Sequence, residues 1–223
     1  MLDTKKVLEF FDASKIRKQI HIVGCGAIGS HVAEQLTRMG CSNIHLWDFD
    51  TVSPHNITNQ MFVQADIGRP KVEAVADMML AINPDCKITL HNYPLEDPYV
   101  VNGYIFMCVD KIDVRKAIVN ANKMNPNAAA VFDFRMRLTD AQYYAADFSR
   151  PEQVEELLKT MDFTQEEADA ATPQSACGVE LSVIYTVKAI VAAGVCNFVK
   201  LVHGENMKNK IFVDMNFLAI DAF

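Results

Sequence analysis

Residues 19–50 read QIHIVGCGAIGSHVAEQLTRMGCSNIHLWDFD, and the order of apolar runs and glycines in this stretch decides the fold. Ile20-His21-Ile22-Val23 is an apolar, β-branched run with the pattern of a buried strand. Gly24-Cys25-Gly26-Ala27-Ile28-Gly29 follows, and behind it Ile28, Val32, Gln35, Leu36 and Met39 fall near one face of a helix. Gly40 stands where a helix C-cap belongs. A second strand, Ile44 to Trp47, runs into Asp48. The unit is βαβ with a nucleotide-type turn. Gly24 makes the turn tight, Gly26 lets a phosphate approach bare backbone, and Gly29 lets helix and strand pack closely. The helix N-terminus supplies free N–H groups and the positive dipole end. Asp48 lies 19 positions past Gly29, close to the roughly 20 expected of an acid that reaches ribose hydroxyls.

Outward from this unit the chain alternates. Met1 to Lys18 reads as a short amphipathic helix with Val7, Leu8 and Phe11 on its apolar face. Phe49 to Gln60 is a long polar loop without strand or helix period, a length usually reserved for function. A helix opens around Asp66 to Lys71 with Pro70 in its first turn and runs to Asn83-Pro84. Strands are expected at Cys86–His91, Tyr104–Val109, Ala128–Phe134 and Gln142–Ala146, and helices at Asp113–Ala121 and Pro151–Thr160. Met161 to Ser175 reads as an irregular crossing segment leading to Cys177. Val179 to Val202 is the longest helix, and the strands Ile211–Asp214 and Phe217–Asp221 close the chain. Alternating strands and helices give a mostly parallel sheet with helices on both faces. The late strands add an antiparallel C-terminal extension. One domain is expected over residues 1–223, with 1–18 as its N-terminal helix and 161–177 as its crossing segment.

The bulk numbers restrict the chemistry. Net charge is −7 over 223 residues, 50% of them hydrophobic and 22% charged, and no basic tract occurs. That balance argues against nucleic acid or an anionic membrane as partner. Glu180, Lys188 and Lys200 interrupt the longest apolar stretch, so it reads as a buried helix. No leader peptide is legible at the start. The six cysteines, Cys25, Cys41, Cys86, Cys108, Cys177 and Cys196, form no CxxC pair, which argues against structural zinc and for a cytoplasmic chain with reduced thiols. The strand histidines His21, His45 and His91 read as core or edge residues, His55 as a residue of the polar loop, and Met78-Met79 as core packing.

Asp48, the loop with Asp50 and Asn56, and Asp110 all follow carboxyl ends of expected parallel strands, where open α/β sheets bind ligands. Asp110 suits magnesium held against phosphates, or else caps a helix. Lys71 suits phosphate charge, or else is a solvated surface lysine.

Together these residues resemble the ThiF/MoeB/HesA family, the adenylating domain shared with ubiquitin-activating enzymes. The resemblance rests on GCGAIGSHVAEQL, DFDTVSPHNITNQ, DIGRPKVEAVADMMLAINP and CVDK in register. It implies a Rossmann-like domain and an ATP-dependent adenylyltransferase. Such a domain binds ATP and magnesium and activates a carboxylate, usually the Gly-Gly terminus of a small ubiquitin-like protein. Carried over by position, Gly24, Gly26 and Ala27 lie under the phosphates and Asp48 on the ribose. Asn56, Asn59, Lys71 and Lys111 surround the phosphates, and Asp110 binds the metal. Cys177, in Gln174-Ser175-Ala176-Cys177-Gly178, matches the thiol that takes the activated tail as a thioester in compact activating enzymes. The competing reading of Cys177 is a small residue opening a core helix.

Two positions depart from the family. NxxRQ is usual where this chain reads Asn56-Ile57-Thr58-Asn59-Gln60, so Asn59 replaces a phosphate-binding arginine. The RYxRQ segment that brings a second arginine across a homodimer is missing from residues 1–18, which weakens the expectation of a homodimer. Arg69, Arg17 and Lys111 are the candidate substitutes. A catalytically reduced scaffold for a ubiquitin-like partner is the alternative function. A nicotinamide-dependent oxidoreductase would use Asp48 but leave Asn56, Lys71 and Asp110 idle.

Overall fold

A computed structural model describes residues 2–96, 99–174 and 181–223. Its centre is an eight-stranded sheet in the order β3-β2-β1-β4-β5-β6-β7-β8. Strands β1 (Ile20–Val23), β2 (Ile44–Trp47), β3 (Ile88–His91), β4 (Gly103–Met107) and β5 (Ala128–Arg137) run parallel. Strands β6 (Asp140–Asp147), β7 (Lys210–Asp214) and β8 (Ala219–Ala222) continue the sheet antiparallel. The chain leaves β1 in one direction toward β2 and returns to β4 on its other side. The β1/β4 boundary is therefore the switch point at which such sheets open a crevice.

Helices cover both faces. On one side α2 (Ala27–Arg38), α3 (Lys71–Ile82) and α7 (Ile184–Val202) enclose a core with Ile22, Leu36, Phe106, Phe132 and Phe198. On the other, α4 (Ile112–Asn122) and α5 (Pro151–Lys159) cover Ile105, Met107, Val131 and Tyr144. Helix α2 buries Ile28, Val32, Ala33 and Leu36, each large side chain contributing about 1.5–3 kcal/mol. Its end is a Schellman motif. The Cys41 N–H reaches Leu36 O and the Gly40 N–H reaches Thr37 O, both at 3.0 Å, with Gly40 at φ +84°, a conformation glycine adopts freely. Among the described residues α7 alone is long and apolar enough to cross a membrane. Here it packs on α2, β5, β6 and β7 and buries Val187, Ile190, Val191 and Phe198, as expected of a core helix.

Three expectations need correction. Residues 1–18 do not form one helix. Only α1 (Lys5–Leu8) and a 3₁₀ turn at Ala13–Lys15 are helical. After α1 has ended at Leu8, Asp12 takes an extended conformation and its carboxylate accepts the Ser14 N–H, a local bond that caps a separate 3₁₀ turn. Phe11 is buried as expected, but Leu8 is exposed. The crossing segment contains α6 (Gln165–Ala171). Its start is a capping box, with the Glu167 N–H on Thr164 Oγ1 at 3.2 Å and the Thr164 N–H on Glu167 Oε2 at 2.8 Å, a signature present in the sequence. The polar loop likewise holds a 3₁₀ turn, Pro54–Thr58.

The strand histidines form one system on the β1–β3 face. Trp47 stacks on His91 with centroids 3.5 Å apart, His45 Nδ1 lies 3.0 Å from His91 Nε2, and the Trp47 indole N–H donates to His21 Nδ1 at 3.2 Å. Burial, with His45 nearby, pulls His21 down to about 4. Because the unfolded imidazole takes a proton first, near its ordinary 6.5, neutral His21 stabilises the fold fully above that value. The contribution falls as pH drops toward the folded value. Between pH 7 and 5 the loss is about 2 kcal/mol. Melting curves at both pH values should show His21→Gln less acid-sensitive than wild type. Equal losses in the two proteins would exclude His21 as the source.

Candidate nucleotide site

The site forms where β1, β2 and β4 end. Gly24, at φ +93°, leaves β1 so close to β4 that an added Cβ would lie 2.7 Å from Cys108 O. Gly29 is equally constrained, its would-be Cβ 1.8 Å from Gly24 O. Gly26 is different. Its nearest neighbours are the side-chain amide atoms of Gln60 at 4.0 Å, and it is the N-cap of α2 with no side chain capping the helix. Packing thus explains two of the three glycines. The third leaves open ground before a set of unpaired helical N–H groups.

Asp48 closes one wall. Its Oδ2 accepts the Cys25 N–H at 2.6 Å and its Oδ1 the Asp50 N–H at 2.8 Å. Burial raises its pKa, opposed by those two N–H donors and by nearby Lys71. Residues 50–52 and 68–71 are zipped together: the Lys71 N–H bonds Asp50 O and the Gly68 N–H bonds Val52 O. This brings buried Lys71, at the start of α3, to Asp50, with Nζ 2.8 Å from Oδ2. A solvated surface lysine is thereby excluded. Pro70 is the N-cap of α3 and not part of its first turn. Asn56 is buried, and its Oδ1 accepts the Ser53 N–H at 2.8 Å within the 3₁₀ turn. Asn59 offers its carbonyl to His31 Nε2 at 3.3 Å.

Asp110 lies exposed between β4 and α4, followed by exposed Lys111 at the N-cap of α4. Of the proposed substitutes for the missing arginine, Arg69 is engaged elsewhere, with Asp66 at 3.1 Å and Asp77 at 2.5 Å. Arg17 precedes β1, at the opposite end of the strands from the glycine loop. Lys111 alone of the three sits at the crevice end. Cys177 lies outside the described residues. Cys25, by contrast, is buried and Cys108 half-buried, and desolvation pushes the Cys108 thiol up to about 12, which keeps it protonated.

Two features escaped the sequence reading. The Gln60 Oε1 atom is buried without a hydrogen-bond partner, although its amide faces Gly26. Asp133, fully buried in the middle of β5, binds Arg115 and, at 2.7 Å, Arg135. A carboxylate inside the apolar run Ala128–Phe134 was the available signal, since an acid in a buried strand requires partners.

Fold and loop together define a doubly wound α/β domain with a dinucleotide-type glycine turn. The chain belongs to the ThiF family, whose signature matches residues 11–212. Ubiquitin-like modifier-activating enzyme 5 of Drosophila willistoni is 34% identical over 125 residues, 48% of this chain and 31% of that protein. The Drosophila persimilis protein of the same name is 42% identical over 118 residues, 45% of this chain and 31% of that one. The chain thus spans about a third of the length of these curated relatives. Escherichia coli MccB, solved with AMPCPP and MccA, superposes with a TM-score of 0.72 at 17% identity, over 95% of this chain and 65% of its own. E. coli tRNA N6-threonylcarbamoyladenosine dehydratase, TcdA, gives 0.66 at 18% identity, over 90% and 94%. At such identities both show the fold alone.

Proposed function

We propose that the chain adenylates a carboxylate with ATP, and that the carboxylate is the C-terminal glycine of a small ubiquitin-like protein. The observation that carries this reading is the bare start of α2 at Gly26, uncapped and faced by the unpaired Gln60 amide. Those are the marks of an anion seat that the protein itself leaves unfilled. Turning the Gln60 carboxamide by 180° offers N–H donors to an anion there. ATP would place its ribose on Asp48 and its phosphates over Gly24, Gly26 and Ala27. Asn56, Asn59, Lys71 and Lys111 surround them. The names of the relatives, activating enzymes of ubiquitin-like modifiers, and the peptide-like partner MccA bound to MccB support the choice of substrate.

The donor set also fits magnesium. No cluster of three or more potential ligands exists among the described residues, and Asp110 is an exposed carboxylate without an ion pair there. Magnesium is usually held in this way, by one or two carboxylates together with substrate phosphates. When bound, it would neutralise charge on the phosphates. The tail carboxylate then attacks the α-phosphorus, forms the acyl-adenylate and expels pyrophosphate. The protein contributes alignment and charge, with no need of a general base on an already ionised carboxylate.

A second step would follow at Cys177, whose thiolate attacks the acyl carbon, forms the thioester and releases AMP. Cys177→Ala should retain partner-dependent ATP–pyrophosphate exchange, because adenylation precedes the thiol. It should lose the covalent adduct that reducing agent cleaves. An adduct persisting in Cys177→Ala, or wild-type exchange without any adduct, refutes the thioester step.

The scaffold reading is favoured by one observation: Asn59 replaces the usual arginine while Arg69 is held by Asp66 and Asp77. Pyrophosphate exchange against candidate proteins ending in Gly-Gly decides between the two. Exchange that appears with such a protein supports the enzyme, and ATP binding without exchange against any of them supports the scaffold.

A further inference from the structure

Arg115 stands in the first turn of α4, five residues after Asp110, and is buried. Its guanidinium contacts three acceptors on two segments. Nη1 binds Asp133 Oδ1, while Nη2 binds Val109 O and, at 2.8 Å, Phe134 O. Asp133 in turn binds Arg135, whose Nε lies 2.8 Å from Oδ2. Arg135 itself is fixed by Thr160 O at 2.7 Å and Thr160 Oγ1 at 2.9 Å, and lies over the Tyr144 ring at 4.5 Å. One carboxylate thus faces two guanidiniums, and the surplus positive charge sits below the loop that carries Asp110, whose carboxylate acts on Arg115.

The same loop is gripped at each neighbouring residue. The Cys108 N–H bonds Val23 O at 2.8 Å, Val109 O is taken by Arg115, and the Ile112 N–H donates to Gln165 Oε1 of α6 at 3.0 Å. Gln165 is steadied by Asp169, its Nε2 2.6 Å from Oδ1. The backbone on both sides of Asp110 is held while its carboxylate is left exposed.

We infer that Arg115, with Gln165 as a second anchor, is a positioning residue that presets the Asp110 carboxylate for the metal accompanying ATP. The inference rests on the ATP- and magnesium-binding reading above. A merely structural Arg115 would join α4 to β5 through Asp133 and Phe134. The bond to Val109 O is the part that such a role does not require. Lysine retains the charge and one bond to Asp133, but its single ammonium does not span the three acceptors.

The test uses the whole chain and two probes, ATP and magnesium, followed by calorimetry. ATP affinity is measured first with EDTA and then across a magnesium titration for wild type, Arg115→Lys, Gln165→Ala, Asp110→Ala and the double variant Asp110→Ala/Arg115→Lys. Arg115→Lys should keep the wild-type affinity in EDTA and raise the magnesium needed for half-maximal tightening about tenfold, as supporting groups around metal ligands commonly do. Gln165→Ala, on a surface helix, should shift the curve in the same direction by less. The double variant should match Asp110→Ala, because the arginine acts only through that carboxylate. A wild-type magnesium curve in Arg115→Lys, or additive effects in the double variant, overturns the inference. If Arg115→Lys does not fold, an unchanged curve in Gln165→Ala overturns it. Wild-type protein that binds no ATP overturns the underlying reading and this inference with it. Wild-type ATP binding that magnesium does not tighten overturns the metal role and the inference while leaving the nucleotide site standing.

Discussion

Asp110→Ala is expected to lower partner-dependent pyrophosphate exchange by about 10²–10³-fold, the usual cost of removing one group that stabilises developing charge. The fold should survive, because Asp110 is exposed and makes no ion pair among the described residues. The ion pairs that hold the loop beneath it run between Asp133 and the two arginines, Arg115 and Arg135, and do not include Asp110. Circular dichroism and the melting temperature should match wild type while exchange collapses. An unchanged exchange rate at saturating magnesium would remove Asp110 from the reaction.

The glycines of the loop offer a second large and opposed pair of effects. Gly29→Ala places a methyl group 1.8 Å from Gly24 O, a backbone atom held against β4 and unable to step aside. Such overpacking costs about 3 kcal/mol or more, which in a domain of this size lowers the melting temperature by roughly 6–12 °C. Gly26→Ala meets nothing closer than 4.0 Å, and its φ of −80° lies in the range open to other residues. Its melting temperature should stay within a few degrees of wild type. ATP binding, in contrast, should weaken at least about tenfold, the worth of one hydrogen bond to a charged phosphate. If Gly26→Ala binds ATP as well as wild type, the open ground before α2 is not where the phosphates lie. The two variants separate a glycine kept for the fold from one kept for a ligand.

Local pattern carried the βαβ unit. The run Ile20–Val23, the three glycines, the period of Ile28, Val32 and Leu36, and the stop at Gly40 reappear as β1, α2 and its Schellman end. Each is specified by near neighbours, so short-range physics suffices. The same logic failed where local bonds compete with periodicity. At Asp12 a side-chain acceptor starts a separate 3₁₀ turn where Val7, Leu8 and Phe11 suggested one helix. At Thr164 and Glu167 a reciprocal cap starts one that polar composition concealed.

By itself, the sequence determined a mostly parallel α/β sheet with an antiparallel end, and it named the residues at the strand ends from which a nucleotide site could be built. Only the tertiary structure decided their company. The zipper between residues 50–52 and 68–71 buries Lys71 against Asp50. Asp133 finds Arg115 on α4, 18 residues away in sequence. The Gln60 amide meets Gly26 across 34 residues of sequence separation. Each of these pairings depends on how α3, α4 and the loops pack over the sheet, and neither charge nor spacing along the chain encodes which partner a buried polar group meets. Burial makes every such group require one, and the fold supplies it.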